Sequence, residues 1–344
     1  MATQTQEPSV QQESRLQEMT VLNHSVREWE TTLVVDELRT LTDGVVTLRL
    51  SDPNGQELPA WTPGAHIDLI LTDSLVRQYS LCSLPRERDA WRVGVLRAPD
   101  SRGGSEFVHS KLSEGSSVRV RGPRNHFPLV ASPRYLFIAG GIGITPMLPM
   151  IEAAEATGAD WRLVYGGRSR SSMAFLEELE RYANRVDLWP EDERGMLDLQ
   201  SLLSTPQPDI LVYCCGPAGL MNAVEDGCAA WPAGSLHLER FAPKTPDDDP
   251  SDALDAFDVV CQRSGVTVPI EAEGGSILEQ LENAGIDGVF GSCYEGICGT
   301  CECPVLEGEP AHRDSVLTAD QHDSGDVMIL CVSGSRSKRL VLDV

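Results

Sequence analysis

The sequence predicts a multidomain chain: an antiparallel barrel or sandwich of short strands, then a parallel α/β unit, then a small C-terminal unit organised around cysteines. Three observations lead there. Residues 31–130 carry short alternating runs broken by turn signals, the pattern of an all-β sandwich or barrel. From residue 134 apolar strands alternate with helical segments, which implies a parallel sheet. Near the end, "CYEGICGTCEC" (293–303) places four cysteines in eleven residues.

At 344 residues the chain is long for a single core. No run of 18 apolar residues occurs, so no membrane span is expected. The first residues are polar and rich in Gln and Glu, without the apolar core of a secretory signal. A disordered tail over 1–25 and a cytoplasmic location are therefore expected. In that setting the ten cysteines argue for reduced thiols or metal ligands rather than disulfides. The net charge is −24, from 28 basic and 52 acidic residues. It would repel phosphate backbones, so nucleic acid is not expected as a partner. The same charge gives solubility and suits a basic docking face on another protein.

In chain order, "TTLVVDELRTLTDGVVTLRLSD" reads as a hairpin about a Thr-Asp-Gly turn. "HIDLILTD", "RQYSLCSLP", "AWRVGVLRAP" and "SSVRVRGPRNHF" continue the strands. Within "RQYSL" (77–81), Arg77 offers a guanidinium for a phosphate, Tyr79 a flat apolar face, and Ser80 a hydroxyl for a ring edge. In "RGGSEFVH" (102–109), Gly103, Gly104 and Ser105 offer an open turn with N–H groups and a hydroxyl at a helix start, an anion site. Each feature alone is ordinary. His66, His109 and His126 are expected to pack or face solvent, and no nucleophile–His–acid set stands out.

In the α/β unit the strand "RYLFIAGG" leads into the helical pattern "TPMLPMIEAAEATG". "DWRLVYGG", the helical "MAFLEELERYAN", "RVDLWPE", "LDLQSLL", "DILVYCCG" and "AGLMNAVEDGCAAW" follow. In "AGGIGITPML" (139–148), Gly140 and Gly141 let a pyrophosphate approach a helix N-terminus, with Thr145 as expected N-cap and Pro146 as first helical residue. The stretch is not G-x-G-x-x-G. "YCCGPAGLM" (213–221) repeats the strand–turn–helix arrangement with Cys215, Gly216 and Pro217. After the second strand, where an NADH site often carries an acid, Arg168, Ser169 and Arg170 would suit a 2′-phosphate. "HLERF" brings Phe241 to the end of this unit, and the Pro- and Asp-rich 242–256 reads as a linker.

Cys293, Cys298 and Cys301 are spaced C-x4-C-x2-C, and Cys331 follows 30 positions after Cys301 in the expected strand "VMILCVSG". This is the plant-type spacing of a [2Fe–2S] cluster. Gly291, Gly296 and Gly299 let the backbone close around it. Zinc is the rival, but four-cysteine zinc sites usually show two C-x2-C knuckles and only one is present. Cys303 is expected to be a bystander, and Cys82, Cys214, Cys228 and Cys261 small buried apolar residues.

The cysteine loop, with "VLEGEPAHRDSVLT" and the closing "LVLDV", resembles a plant-type ferredoxin domain of the β-grasp family. "RQYSL" with the Gly-Gly-Ser turn resembles the flavin-binding barrel of the ferredoxin–NADP reductase superfamily, in its FMN-using branch. "AGGIGITPML" and the Cys-Gly-Pro stretch resemble that superfamily's pyridine-nucleotide motifs, and Phe241 its flavin-covering ring. From about residue 28 the order of units resembles the phthalate dioxygenase reductase / vanillate O-demethylase reductase family. The resemblance implies an FMN-binding β-barrel (26–130), an NAD(P)-binding domain (131–241) and a [2Fe–2S] ferredoxin domain (257–344). It implies NADH, or alternatively NADPH, as donor, with Ser80 and Cys215 at the reacting rings. Single electrons would leave through the cluster to a separate Rieske-type oxygenase, with a cytochrome P450 as the alternative acceptor. A monomer is expected. A non-catalytic zinc-binding module is the remote alternative.

Overall fold

The computed structural model describes residues 29–99, 101–243 and 256–344, so the expected tail (1–25) and most of the expected linker (242–256) lie outside the described residues. The first strands, β1 (Glu30–Thr42) and β2 (Val45–Ser51), form the expected hairpin, with Thr42 opposite Val45. β3 (His66–Thr72), β4 (Leu75–Ser80), β5 (Ala90–Leu96) and β6 (Ser117–Arg124) complete an antiparallel sheet in the order β4-β3-β6-β1-β2-β5. A bridge between Leu81 and Val93 joins its two edges, which makes the sheet a barrel and removes its open edges. Leu33, Leu48, Ile67, Trp91 and Val93 fill it. Helix α1 (Gly104–Lys111) lies between β5 and β6 in the chain.

Five parallel strands follow: β7 (Arg134–Gly140), β8 (Asp160–Gly167), β9 (Val186–Pro190), β10 (Ile210–Cys215) and β11 (Leu236–Glu239), in the order β11-β10-β7-β8-β9. Alternate residues of β7 face opposite layers. Phe137 packs in one cluster with Trp161 and Tyr165, and Ile138 in another with Val164 and Val212. Burial on both faces is why this strand reads as an unbroken apolar run. Helix α2 (Met147–Thr157) follows β7 and α3 (Ala218–Gly227) follows β10. The strand order reverses between β7 and β10, which opens a crevice at their carboxyl ends.

Two local expectations shift. A 3₁₀ turn over Gly141–Ile144 precedes α2, so Pro146 takes the N-cap position, and the Thr145 hydroxyl donates to the Ile142 carbonyl at 2.9 Å instead of capping the helix. "MAFLEELERYAN" forms a short α-turn, Leu176–Leu179, continued as a 3₁₀ turn over Glu180–Tyr182. Phe175 enters it with a left-handed φ of 62° while its ring is buried in the core, so packing overrides the helical pattern.

The C-terminal unit opens with the hairpin β12 (Phe257–Cys261) and β13 (Val266–Ile270). Helix α4 (Ile277–Asn283) starts at Ser276, whose hydroxyl and Glu279 form a capping box. β14 (Glu302–Glu307), β15 (Pro310–Ala311), helix α5 (Ala319–Ser324), β16 (Val327–Ile329), β17 (Gly334–Ser335) and β18 (Arg339–Leu342) complete it. The sheet order is β13-β12-β18-β14-β16, with β12 and β18 parallel at its centre. Ile277, Leu278 and Leu281 of α4 pack on Val259 and Leu340, the helix-over-sheet layout of a β-grasp. Cys331 lies just beyond its expected strand: β16 stops at Ile329, and a turn closed by Ser333 N–H on the Ile329 carbonyl (3.0 Å) carries the cysteine out of the sheet. Among the described residues no helix is long and apolar enough to cross a membrane.

Phe137 is fully enclosed between sheet and helix. Phe137→Ala is expected to lower stability by about 3–5 kcal/mol in urea unfolding followed by intrinsic fluorescence.

Candidate active site between the three sheets

The end of β4 and the start of α1 build an anion site. Gly103 takes φ 87° and caps α1 without a side-chain hydrogen bond of its own; the Glu106 N–H donates to Ser101 Oγ at 3.4 Å, which leaves those of Gly104 and Ser105 for an anion. Arg77 lies across this turn: a Cβ on Gly104 would stand 2.4 Å from its Cγ. Its guanidinium donates to the carbonyls of Val76 and Arg102, both at 2.7 Å. Ser105 serves the turn itself, donating to Ser101 Oγ at 3.0 Å and accepting from Ala98 N–H at 3.1 Å. Tyr79 is half-buried against the barrel core, and burial lifts its phenol to about 12.

At the carboxyl ends of β7 and β10 the two glycine motifs fit into each other. A Cβ on Gly140 would meet Pro217 Cδ and Leu220 Cδ2 at 2.7 Å, and one on Gly216 would meet Gly140 Cα at 3.0 Å. Gly141 has φ 55°. Both motifs therefore need glycine for close backbone approach, and together they floor the crevice. Arg168 stands exposed just after β8 and forms no ion pair among the described residues. Cys215 is fully buried in the core, and burial, followed by the charge of Glu239, pushes its thiol well above its ordinary value. It shapes the floor as a neutral side chain.

The cysteine loop is arranged to hold metal. Cys298, Cys301 and Cys331 are buried and Cys293 is half-buried. All four are free thiols, and the Cys293 thiol interacts with those of Cys298 and Cys331, as Cys331 does with Cys301. Backbone N–H groups point at the sulfurs: Glu295 (3.3 Å) and Ile297 at Cys293, Thr300 at Cys298, and Gly296 at Cys331. Gly296 and Gly299 both take φ 69°, which allows that curl. The Cys293 sulfur, then burial, drives the Cys298 thiol far upward, so four thiolates here require cations among them. A single tetrahedral zinc needs its sulfurs mutually about 3.8 Å apart. Among the described residues the one set of three metal-binding groups with ligand atoms all within 4.8 Å is His312, Asp314 and His322, not the cysteines. The extended sulfur chain suits a two-iron centre. The two histidine rings are stacked at 17°, so their lone pairs do not converge on one ion. Cys303 packs in the β-grasp core, and Cys82, Cys214, Cys228 and Cys261 are buried.

Residues of all three units meet in one cleft, which the glycine motifs, Cys215 and Arg168 do not line. Its walls include Arg77, Ser80 and Arg102 from the barrel, Glu239 and Phe241 from the end of the parallel sheet, and Cys293 and Glu295 from the cysteine loop. Phe241 is exposed at its mouth. Glu239 is the residue that sequence reasoning missed, although "HLERF" contains it. It accepts a hydrogen bond from Ser80 Oγ at 3.3 Å, and burial pushes its carboxyl up to about 8. Its signal was a lone acid ending the short strand Leu-His-Leu-Glu.

With this geometry in view, residues 259–334 match the model of the 2Fe-2S iron-sulfur cluster binding domain, and residues 137–226 that of the oxidoreductase NAD-binding domain. The chain is 39% identical over 317 residues to the toluene-4-sulfonate monooxygenase system reductase subunit of Comamonas testosteroni, covering 91% of this chain and 98% of that one. The chain belongs to the reductase components of oxygenase systems. The solved phthalate dioxygenase reductase is 34% identical, with a TM-score of 0.66 over 92% of this reductase and 98% of that chain. An intact type IV self-sufficient cytochrome P450 monooxygenase is 43% identical with a TM-score of 0.86, over 92% of this reductase and 41% of that chain. The reductase is an NAD(P)H-dependent oxidoreductase with a [2Fe–2S] domain.

The raised Glu239 carboxyl carries a pH signature. The unfolded chain ionises near 4.5, while the folded state keeps the proton up to about 8. Its contribution to stability therefore falls as pH rises through that window. Glu239→Gln is expected to match the wild type in thermal unfolding at pH 4.5 and to exceed it at pH 8.

Proposed function

We propose that the reductase takes a hydride from NADH onto FMN and passes electrons singly through its cluster to a separate Rieske-type oxygenase. In this reading residues 26–130 hold FMN, 131–241 hold the nicotinamide nucleotide and 257–344 hold the cluster. The observation that carries it is the cleft whose walls come from all three units, with Ser80, Phe241 and Cys293 around one space. Bound there, FMN accepts electron pairs and releases single electrons, and a [2Fe–2S] cluster bound by Cys293, Cys298, Cys301 and Cys331 carries one at a time.

The chain's own residues bind, orient and exclude water. Arg77 and the open N-terminus of α1 at Gly103 and Gly104 suit a terminal monophosphate, which favours FMN. The Ser80 hydroxyl, tied to Glu239, would serve the ring edge, and Glu239 holds a proton at its carboxyl beside it. Phe241, exposed at the cleft mouth, would cover the flavin ring. Gly140, Gly141, Thr145, Gly216 and Pro217 shape the crevice for the pyrophosphate, and Cys215 sets its floor. Arg168 is the residue placed to meet a 2′-phosphate, and it is the feature that keeps NADPH as the competing donor.

The likeness to a self-sufficient P450 supports a second reading, in which the acceptor is a P450. Reconstitution with one oxygenase of each type separates them, with turnover expected for the Rieske partner.

The purified protein is expected to show flavin bands with a red-brown cluster shoulder, both bleached by NADH. Cys293→Ser should lose the shoulder and keep NADH-dependent flavin bleaching. A colourless, zinc-loaded preparation contradicts the reading. Turnover at equal concentrations of NADH and NADPH is expected to favour NADH; a large preference for NADPH overturns the choice of NADH and supports a 2′-phosphate contact at Arg168.

A further inference from the structure

The cysteine loop is fastened to the barrel at a point the proposed electron relay does not itself require. Asp68 on β3 is 0% exposed. Within the barrel it accepts from Arg121 Nε at 3.0 Å, from Arg124, and from Gln78 Nε2 at 2.9 Å. Two arginines already balance its charge, as a buried carboxylate demands. A further partner comes from the C-terminal unit: Ser292 Oγ donates to Asp68 Oδ2 at 2.7 Å and accepts from Gln78 Nε2 at 2.8 Å. Ser292 is itself buried and directly precedes Cys293.

Two more contacts flank this one on the same loop. Arg102 pairs with Glu295. The His126 ring fills the space beside Gly299, where a Cβ would stand 2.3 Å from its Nε2. Every contact falls between residues 292 and 299, the stretch that carries Cys293 and Cys298.

We propose that Asp68 and Ser292 are positioning residues: their buried hydrogen bond holds the cysteine loop against the flavin cleft and so sets the geometry of internal electron transfer. This rests on the relay described under Proposed function. A hydrogen bond to a buried charge is short and directional, so it fixes orientation as well as distance. The Asp68 anchor lies in the rigid barrel, braced by two strands: β3 carries it and β6 supplies both arginines.

The test uses the full-length holoprotein. Ser292→Asp sets a second carboxylate against Asp68 without altering the barrel, and Ser292→Ala removes only the hydroxyl. Iron content and the visible cluster spectrum verify that each variant is loaded. Small-angle scattering reads docking independently of electron flow, and anaerobic stopped-flow reads the flavin-to-cluster step. In Ser292→Asp the radius of gyration is expected to rise and the internal step to slow by about tenfold or more, with NADH reduction of the flavin unchanged. Ser292→Ala should move both readouts the same way by less. Should the Asp variant fail to load its cluster, scattering of Ser292→Ala decides. Wild-type scattering in both variants, or a wild-type internal rate in an expanded Ser292→Asp protein, overturns the proposal. If the wild type itself shows no NADH-dependent cluster bleaching, the relay reading fails, while scattering still decides the docking.

Discussion

The constraint beneath this structure is that three sheets must present their working ends to one small space. The barrel and the parallel sheet share a core, in which Val45 and Cys82 pack in one cluster with Ile144, Met147 and Phe175, whereas the β-grasp keeps a core of its own. The β-grasp is oriented against the barrel by a few polar contacts at their junction, with the fully buried Asp68 carboxylate at their centre. A buried charge tolerates little displacement of its partners, because each lost hydrogen bond leaves it uncompensated. That intolerance lets a junction with little apolar content still fix a geometry.

The electrostatics of the cleft divide by position. Cations gather at the end where α1 opens: Arg77 and Arg102 stand beside its glycine-capped start. Towards the parallel sheet, burial keeps Cys215 and Glu239 neutral at neutral pH. Between barrel and cysteine loop, burial and then Arg124 take His66 down to about 3, and the same causes take His126 down to about 4. The wall facing the loop thus carries uncharged imidazoles. The arginines thus suit an anion at one end, while the side chains of His66, Cys215 and Glu239 are neutral at the other.

Much of this was legible in the sequence because the relevant information is local. Strand alternation, the Asp43–Gly44 turn and the C-x4-C-x2-C loop each fit within a dozen residues or so. The barrel–sheet–ferredoxin order and the spacing of the cysteines could be read directly. Glu239, Gln78, Asp68 and Ser292 could not, because their meaning lies in contacts across 159 residues for Ser80–Glu239 and 224 for Asp68–Ser292. An isolated acid in a strand reads as a solvated face until its partner is known. The misplacements of Thr145 and Cys331 have a different origin: a 3₁₀ turn and a tight strand exit each displaced a residue by a short way that no periodicity records. His126 was expected to pack or face solvent, and it packs, but against the loop of another unit.

The central claim is that one molecule carries electrons from nucleotide to cluster across this cleft. Anaerobic stopped-flow with limiting NADH, repeated over a range of protein concentrations, tests it most directly. The account predicts that flavin absorbance bleaches first and then partly recovers as the cluster bleaches, with the second phase independent of protein concentration. A second phase whose rate rises in proportion to protein concentration would mean that electrons reach the cluster from another molecule, and would contradict it.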